Sequence, residues 1–150
     1  MATVVSDKPC VVLDTNVLLD IWVFQDTNTA LLHEHLAQQR VRWLVTSAMR
    51  QELWRVLAYP HIEPRLAQLS RTAAEVMAAF DRWSHTQPEA PRSPYVCKDA
   101  DDQKFIDLAV THRALLVSKD RQVLRLTHRL ARLGVVVTSD YSQAPSNGTG

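Results

Sequence analysis

This sequence has few cysteines and almost no excess of charge of either sign. The 150 residues contain two cysteines, Cys10 and Cys97, and the formal net charge is +1. Two cysteines so far apart in the chain are expected to be free thiols in a reducing compartment such as the cytoplasm. A nearly neutral chain has no general attraction for nucleic acids or anionic membranes, so any such affinity must be local.

Long apolar runs and clustered histidines are also missing. No stretch approaches the roughly 20 apolar residues that span a bilayer, and residues 1–8 carry no apolar signal segment. We therefore expect a soluble, cytoplasmic protein with no membrane partner. The six histidines are scattered, and His33 and His35 would lie about 200° apart on a helix, so no zinc site is expected.

The apolar content that is present suffices for one core. Hydrophobic residues make up 46% of the chain, which predicts a single domain over residues 1–141. The Ser-, Pro-, Asn- and Gly-rich end, residues 142–150, is predicted to be disordered. The proline-rich stretch 88–94 predicts a surface linker, because too little chain follows it to fold alone.

Short apolar runs alternate with stretches of helical periodicity. The runs predict buried strands at 11–13, 43–46, 114–118 and 135–137. Helices are predicted at 17–24, 27–39, 47–59 with Ser47 as its cap, 66–83, from about 102, and 122–133. Such alternation indicates βαβ crossovers, and hence a three-layer α/β/α domain with a mostly parallel sheet of four to five strands.

Four acids are expected at one edge of this sheet. Asp14 follows the first strand, Asp120 follows the third, and Glu52 lies early in the helix that leaves the second. Asp102 begins the helix that leads back into the third strand, so it should reach the same carboxyl edge, where open α/β sheets bind ligands. Taken alone, Asp14 is more commonly explained as a helix cap. Four converging carboxylates would repel one another, which implies a hard divalent cation such as Mg²⁺ or Mn²⁺.

The same segments carry a family resemblance. The sequence VLDTN at 12–16, the helix at 47–57 with Glu52, DADDQKF at 99–105 and LVSKDR at 116–121 together resemble the PIN-domain ribonucleases. The similarity runs from about residue 9 to residue 137. Within the family, the chain is most similar to the toxins of bacterial toxin–antitoxin systems, relatives of the VapC-type toxins.

The resemblance implies a function and a set of site residues. Asp14, Glu52, Asp102 and Asp120 would be the catalytic metal ligands, binding one or two Mg²⁺ or Mn²⁺ ions, and Asn16 and Ser118 would support them. The implied partners are an RNA substrate and a protein antitoxin, with homodimerisation left open. Two positions depart from the family pattern, because Lys119 replaces a frequent glycine and Gln122 replaces a frequent acid.

Several residues have more than one interpretation. Asp99 and Asp101 are best explained as capping or solvated loop acids. A basic stripe of the last predicted helix is either a solvated face or a guide for an RNA backbone, and it consists of Arg121, Arg125, Arg129 and Arg132, with His128.

Two other functions remain as alternatives. The chain could be a catalytically silent interaction module with a PIN fold. A haloacid-dehalogenase-like phosphatase also begins with an acid after a buried strand, but it requires a second Asp where this chain has Asn16.

Overall fold

The computed structural model describes residues 8–144, and in this part of the chain five parallel strands form one sheet. The strands are β1 (Cys10–Leu13), β2 (Arg42–Val45), β3 (Ser84–Thr86), β4 (Leu115–Val117) and β5 (Val137–Thr138). Their order across the sheet is β3-β2-β1-β4-β5. The strand order therefore reverses between β1 and β4, and such a reversal opens a crevice at the carboxyl ends of the two strands.

Both faces of the sheet are covered. Val11 and Val12 are fully buried although neighbouring residues of a strand point to opposite faces. The covering helices are α1 (Thr15–Trp22), α2 (Ala30–Ala37), α3 (Ser47–Leu57), α4 (Glu63–Gln68), α5 (Ala73–Trp83), α6 (Gln103–His112), α7 (Arg121–Leu124) and α8 (Thr127–Ala131). Helix α6 packs on β1 and β4, the two strands that flank the crevice. The predicted three-layer α/β/α architecture is confirmed.

The single helix predicted for residues 66–83 is wrong, because two helices replace it. Helix α4 ends before Ser70, which adopts the left-handed conformation with φ of +53°. Helix α5 then starts afresh with a capping box, in which Thr72 accepts from the Glu75 amide and Glu75 accepts from the Thr72 amide. This pair satisfies amides that a continuous helix would have bonded internally.

The last predicted helix, 122–133, is also divided. The Thr127 hydroxyl donates to the Leu124 carbonyl oxygen at 2.6 Å, so a side chain takes an acceptor that the continuous helix would use. At α3 the predicted cap is wrong by one residue. Thr46, not Ser47, is the cap, and it accepts from the Met49 amide at 3.4 Å.

Smaller differences concern edges and ends. The polar, edge strand β3 was not predicted, and a 3₁₀ turn at Thr27–Thr29 precedes α2 where one helix was expected. Another 3₁₀ turn covers Tyr141–Gln143, while residues 145–150 of the predicted tail lie outside the described residues. Within residues 8–144, no helix combines the length and the apolar character needed to cross a bilayer.

Candidate metal centre

An open acidic cleft lies at the carboxyl edge of the sheet, at the reversal between β1 and β4. Twelve residues line it, namely Asp14, Thr15, Asn16, Glu52, Arg55, Val56, Tyr59, Asp99, Asp101, Asp102, Phe105 and Asp120. The four acids predicted from the sequence are therefore brought to one cleft. Asn16 also lines the cleft as an exposed side chain, and its supporting role stays a prediction.

Asp14 is the most deeply buried of these acids. Its side chain caps α1 by accepting from the Val17 amide at 3.1 Å, and it also accepts from the Ser118 hydroxyl at 2.5 Å. Burial raises the pKa of Asp14, and these hydrogen bonds oppose the rise without cancelling it. Asp14 is therefore a helix cap that also lines the cleft, and its role as a metal ligand stays a prediction.

Ser118 links Asp14 to Asp120. Its hydroxyl donates to Asp14 and accepts from the Asp120 amide at 3.1 Å, while Asp120 in turn caps α7 by accepting from the Gln122 amide at 2.7 Å. Ser118 is completely buried, so this hydroxyl joins the ends of β1 and β4 away from water. The predicted supporting role of Ser118 thus has a geometric basis.

Asp102 forms a tight group with Asp99 and Asp120. One carboxylate oxygen from each lies within 4.8 Å of the others. Asp102 Oδ2 is buried and has no hydrogen-bond partner among the described residues. Burial and the influence of the neighbouring acids, above all Asp120, together raise the pKa of Asp102 to about 7.

Asp99 was predicted to be a capping or loop acid, and it is more than that. It does cap the 3₁₀ turn Ala100–Asp102 by accepting from the Asp101 amide at 3.0 Å. It also supplies the third carboxylate of the group with Asp102 and Asp120. Spacing alone could not distinguish these roles, because a cap needs only one of the two carboxylate oxygens.

The three-carboxylate group fits a hard divalent cation. It offers only oxygen atoms, it has an unpartnered buried oxygen on Asp102, and its mutual repulsion is the kind that a bound cation relieves.

Glu52 stands apart from this group. Lys104 Nζ donates to Glu52 Oε1 at 2.6 Å, and the Thr15 hydroxyl donates to the other oxygen, Oε2. Both carboxylate oxygens of Glu52 therefore have partners within the chain. Lys104 was missed in the sequence, although its position two residues after Asp102 on a helix start made it a neighbour of the site.

Two buried side chains of α6, Gln103 and Asp107, form a clamp on the segment 93–97, which precedes Asp99. Gln103 accepts from the Cys97 amide at 2.5 Å and donates to Asp107 at 2.8 Å, while Asp107 accepts from the Ser93 amide at 2.8 Å. Both clamp residues are buried polar side chains of α6. They too were missed in the sequence, where nothing distinguishes them from solvated helix residues.

Lys119 forms its ion pair outside the acidic cleft. Its ammonium pairs with Asp20 of α1, and Lys119 lines a separate pocket with Asp20 and Asp26 rather than the acidic cleft. The cation that replaces the family's usual glycine is therefore directed away from Asp120.

The basic stripe is only partly preserved as a surface. Arg125, Arg129 and His128 line a groove together with Lys98 and Val96, and Gln122 connects that groove to Asp120. Arg121 and Arg132 are exposed but do not line it. The division of the predicted helix into α7 and α8 explains why the four arginines do not form one continuous row.

The fold and the cleft define a class: a parallel α/β domain with a carboxylate group where the strand order reverses. The profile of the PIN domain matches residues 10–122 of the chain. The chain belongs to the PIN-domain family. No curated protein matches the sequence.

A solved structure supports the fold independently. The chain is similar to VapBC2 from Rickettsia felis bound to a DNA fragment from their promoter, with a TM-score of 0.53 and 12% sequence identity. The alignment covers 85% of this chain and 96% of that one. At this identity the likeness shows a shared fold.

Proposed function

We propose that this PIN domain is a metal-dependent endoribonuclease and the toxin of a toxin–antitoxin pair. The observation that carries the proposal is the group of Asp99, Asp102 and Asp120 beside the buried Asp14, with an unpartnered oxygen on Asp102. PIN domains are generally nucleases, and clustered carboxylates at such an edge suit phosphodiester hydrolysis.

The residues of the cleft would have different roles. Asp102 and Asp120, with Asp99, would hold a Mg²⁺ or Mn²⁺ ion through their oxygens. When bound, such an ion lowers the pKa of a coordinated water and stabilises charge on the leaving oxygen. Asp14 adds negative charge at the base of the cleft, and Ser118 keeps Asp14 and Asp120 in fixed relation. The prediction that Glu52 is a fourth ligand stays a prediction.

The groove beside the cleft supports a nucleic-acid substrate. Lys98 adjoins Asp99 in sequence, and Arg125 and Arg129 lie along the same groove, so cations flank the acidic cleft on one side. A strand whose phosphates lie along these cations would bring one phosphodiester to the carboxylates. RNA as the substrate rests on the family resemblance.

An antitoxin partner and a cytoplasmic location belong to the same proposal. The similar solved structure contains VapBC2 bound to promoter DNA, which is a property of that complex. The shared fold supports a comparable protein partner for this chain. A toxin that cleaves cellular RNA would act in the cytoplasm.

The test is cleavage of RNA with an Asp14→Asn variant. We expect the parent protein to cleave RNA with Mg²⁺ or Mn²⁺ and to stop when EDTA is added. Asp14→Asn should keep the fold, because Asn also caps helices, but should lose at least about 100-fold in cleavage rate. The readout is a single-turnover gel assay on labelled RNA.

Asp26→Asn is the matched control, since Asp26 also caps a turn but lies outside the acidic cleft. It should cleave like the parent. Metal binding without any cleavage by the parent would instead favour the silent interaction module, and full activity in Asp14→Asn would contradict the nuclease assignment.

A further inference from the structure

Lys104 holds a cation at a fixed point beside the acidic cleft. Its ammonium donates to Glu52 Oε1 at 2.6 Å and to the Asp101 carbonyl oxygen at 2.5 Å, and it lies 4.8 Å from the centre of the Phe105 ring. Two oxygen acceptors and a ring face together restrict a side chain that is usually mobile.

The ion pair is also more shielded from water than the Arg50–Asp81 pair. The side chains of Lys104 and Glu52 are 21% and 17% exposed, whereas those of Arg50 and Asp81 are 48% and 52% exposed. Charges that are withdrawn from solvent interact more strongly, because water screens them less. The Lys104–Glu52 pair is therefore less screened by water than the Arg50–Asp81 pair.

Glu52 and Asp102 differ in whether a carboxylate oxygen lacks a hydrogen-bond partner. Glu52 accepts from Lys104 on one oxygen and from Thr15 on the other. Asp102 keeps one buried oxygen without a partner among the described residues. Within one cleft, one carboxylate is thus already compensated by the chain, and another is not.

We propose that Lys104 takes the place of a second metal ion, so that the cleft binds a single divalent cation at Asp99, Asp102 and Asp120. This inference rests on the metal binding of the proposed function. Two-metal sites hold their ions about 3.5–4 Å apart and need carboxylates to offset both charges. Here the ammonium already occupies Glu52 and the Asp101 carbonyl, and its positive charge opposes a second cation there.

The experiment counts bound ions. Mn²⁺ alone is titrated into the metal-free protein, and free Mn²⁺ is followed by electron paramagnetic resonance, with isothermal calorimetry as a second readout. We expect one Mn²⁺ per chain for the parent protein and for Lys104→Arg, which keeps the cation. Lys104→Met should bind two, because Glu52 and the Asp101 carbonyl are released.

Lys98→Met is the matched control. It removes the same charge from an exposed lysine that lines the neighbouring groove and not the acidic cleft. Its count should remain one. A count of two in Lys98→Met would mean that net charge, and not the position of Lys104, limits binding, and the inference would be overturned.

A second variant keeps the test decisive if Lys104→Met does not fold. Glu52→Gln removes the carboxylate that pairs with Lys104 but leaves the three-carboxylate group intact. Because the inference makes Glu52 a partner of Lys104 and not a ligand, we expect Glu52→Gln to bind one Mn²⁺ with an affinity that changes less than about threefold. A ligand would instead lose at least about tenfold in affinity, in line with losses measured for weaker outer-shell partners.

The outcomes separate the inference from the function on which it rests. Two ions in the parent, or one ion in a folded Lys104→Met, would overturn the role of Lys104 and leave the nuclease proposal standing. No Mn²⁺ binding by the parent at millimolar concentrations would overturn both.

Discussion

Asp102 lies in surroundings that disfavour its negative charge in the metal-free protein. It precedes α6 but makes no side-chain cap bond to that helix, and its Oδ2 atom is buried without a partner among the described residues. An acid placed there costs stability in the metal-free protein, because burial and the nearby charges of Asp120, Asp99 and Asp14 all disfavour its ionised form.

Asp102→Asn should therefore stabilise the metal-free protein. We expect a gain of about 0.5 to 2 kcal/mol, which is set by close like charges at a high effective dielectric and reduced because Asp102 is partly exposed. The measurement is chemical unfolding in EDTA at pH 7.5. Glu63→Gln, which removes an exposed acid outside the cleft, should give no such gain.

The effect should depend on pH with a defined sign. The pKa of Asp102 is about 7 in the folded protein and near 3.9 in an unfolded chain, so between these values the native state holds the extra proton. The free energy of unfolding should fall as the pH rises from about 4 to 7, and this component should vanish in Asp102→Asn. Equal pH slopes in the two proteins would contradict the shared site.

At this scale, the sequence predicted four of the acids that line the cleft but not the partners of each. Asp14, Asp102 and Asp120 could be found because they sit at strand ends and helix starts. The pairing of Glu52 with Lys104 joins positions 52 residues apart, and no local pattern records it. The double role of Asp99 was hidden for the opposite reason, since its local capping pattern already explained it.

At the scale of elements, apolar runs predicted the buried strands and periodicity predicted most helices. The two helices that are divided, 66–83 and 122–133, share one cause: a polar side chain bonded to the backbone and interrupted a helix that apolar spacing alone would continue. Thr72 does this at the start of α5, and Thr127 does it between α7 and α8. Strand β3 escaped prediction because an edge strand of Ser, His and Thr has no apolar run.

Only two of the four arginines of the basic stripe line the groove, so the other two provide a control for its role in RNA binding. Replacing Arg125 and Arg129 with Gln should weaken RNA binding and lower the salt slope of log K by about 1.4, at roughly 0.7 for each lost contact with a single strand. Replacing Arg121 and Arg132 in the same way should change the slope little, because these residues do not line the groove.

The measurement is fluorescence anisotropy with labelled single-stranded RNA at several salt concentrations, with Ca²⁺ in place of Mg²⁺ to limit cleavage. Equal salt slopes for the two double variants would mean that the whole basic stripe is an ordinary solvated face.

At the scale of the whole molecule, metal binding and folding should be coupled. A cation that binds only the folded chain stabilises it by about 2.7 kcal/mol when its concentration is 100 times its dissociation constant. We expect Mn²⁺ to raise the melting temperature of the parent and to raise that of Asp120→Asn much less. Asn can keep the cap of α7, so the loss reports on the metal site.

Asp140→Asn is the control for this experiment, because Asp140 caps the 3₁₀ turn Tyr141–Gln143 outside the acidic cleft. It should gain as much from Mn²⁺ as the parent does. A gain that persists unchanged in Asp120→Asn would place the ion elsewhere.

The bond from Ser118 to Asp14 has a consequence for the timing of synthesis. It joins residues 104 positions apart, and it forms where β4 pairs with β1 in the centre of the sheet. A nascent chain that has emerged only as far as α5 carries Asp14 and Glu52 but lacks Asp99, Asp102 and Asp120. Under the proposed function, the ribosome would therefore have synthesised most of this domain before the domain could cut any RNA, including its own message.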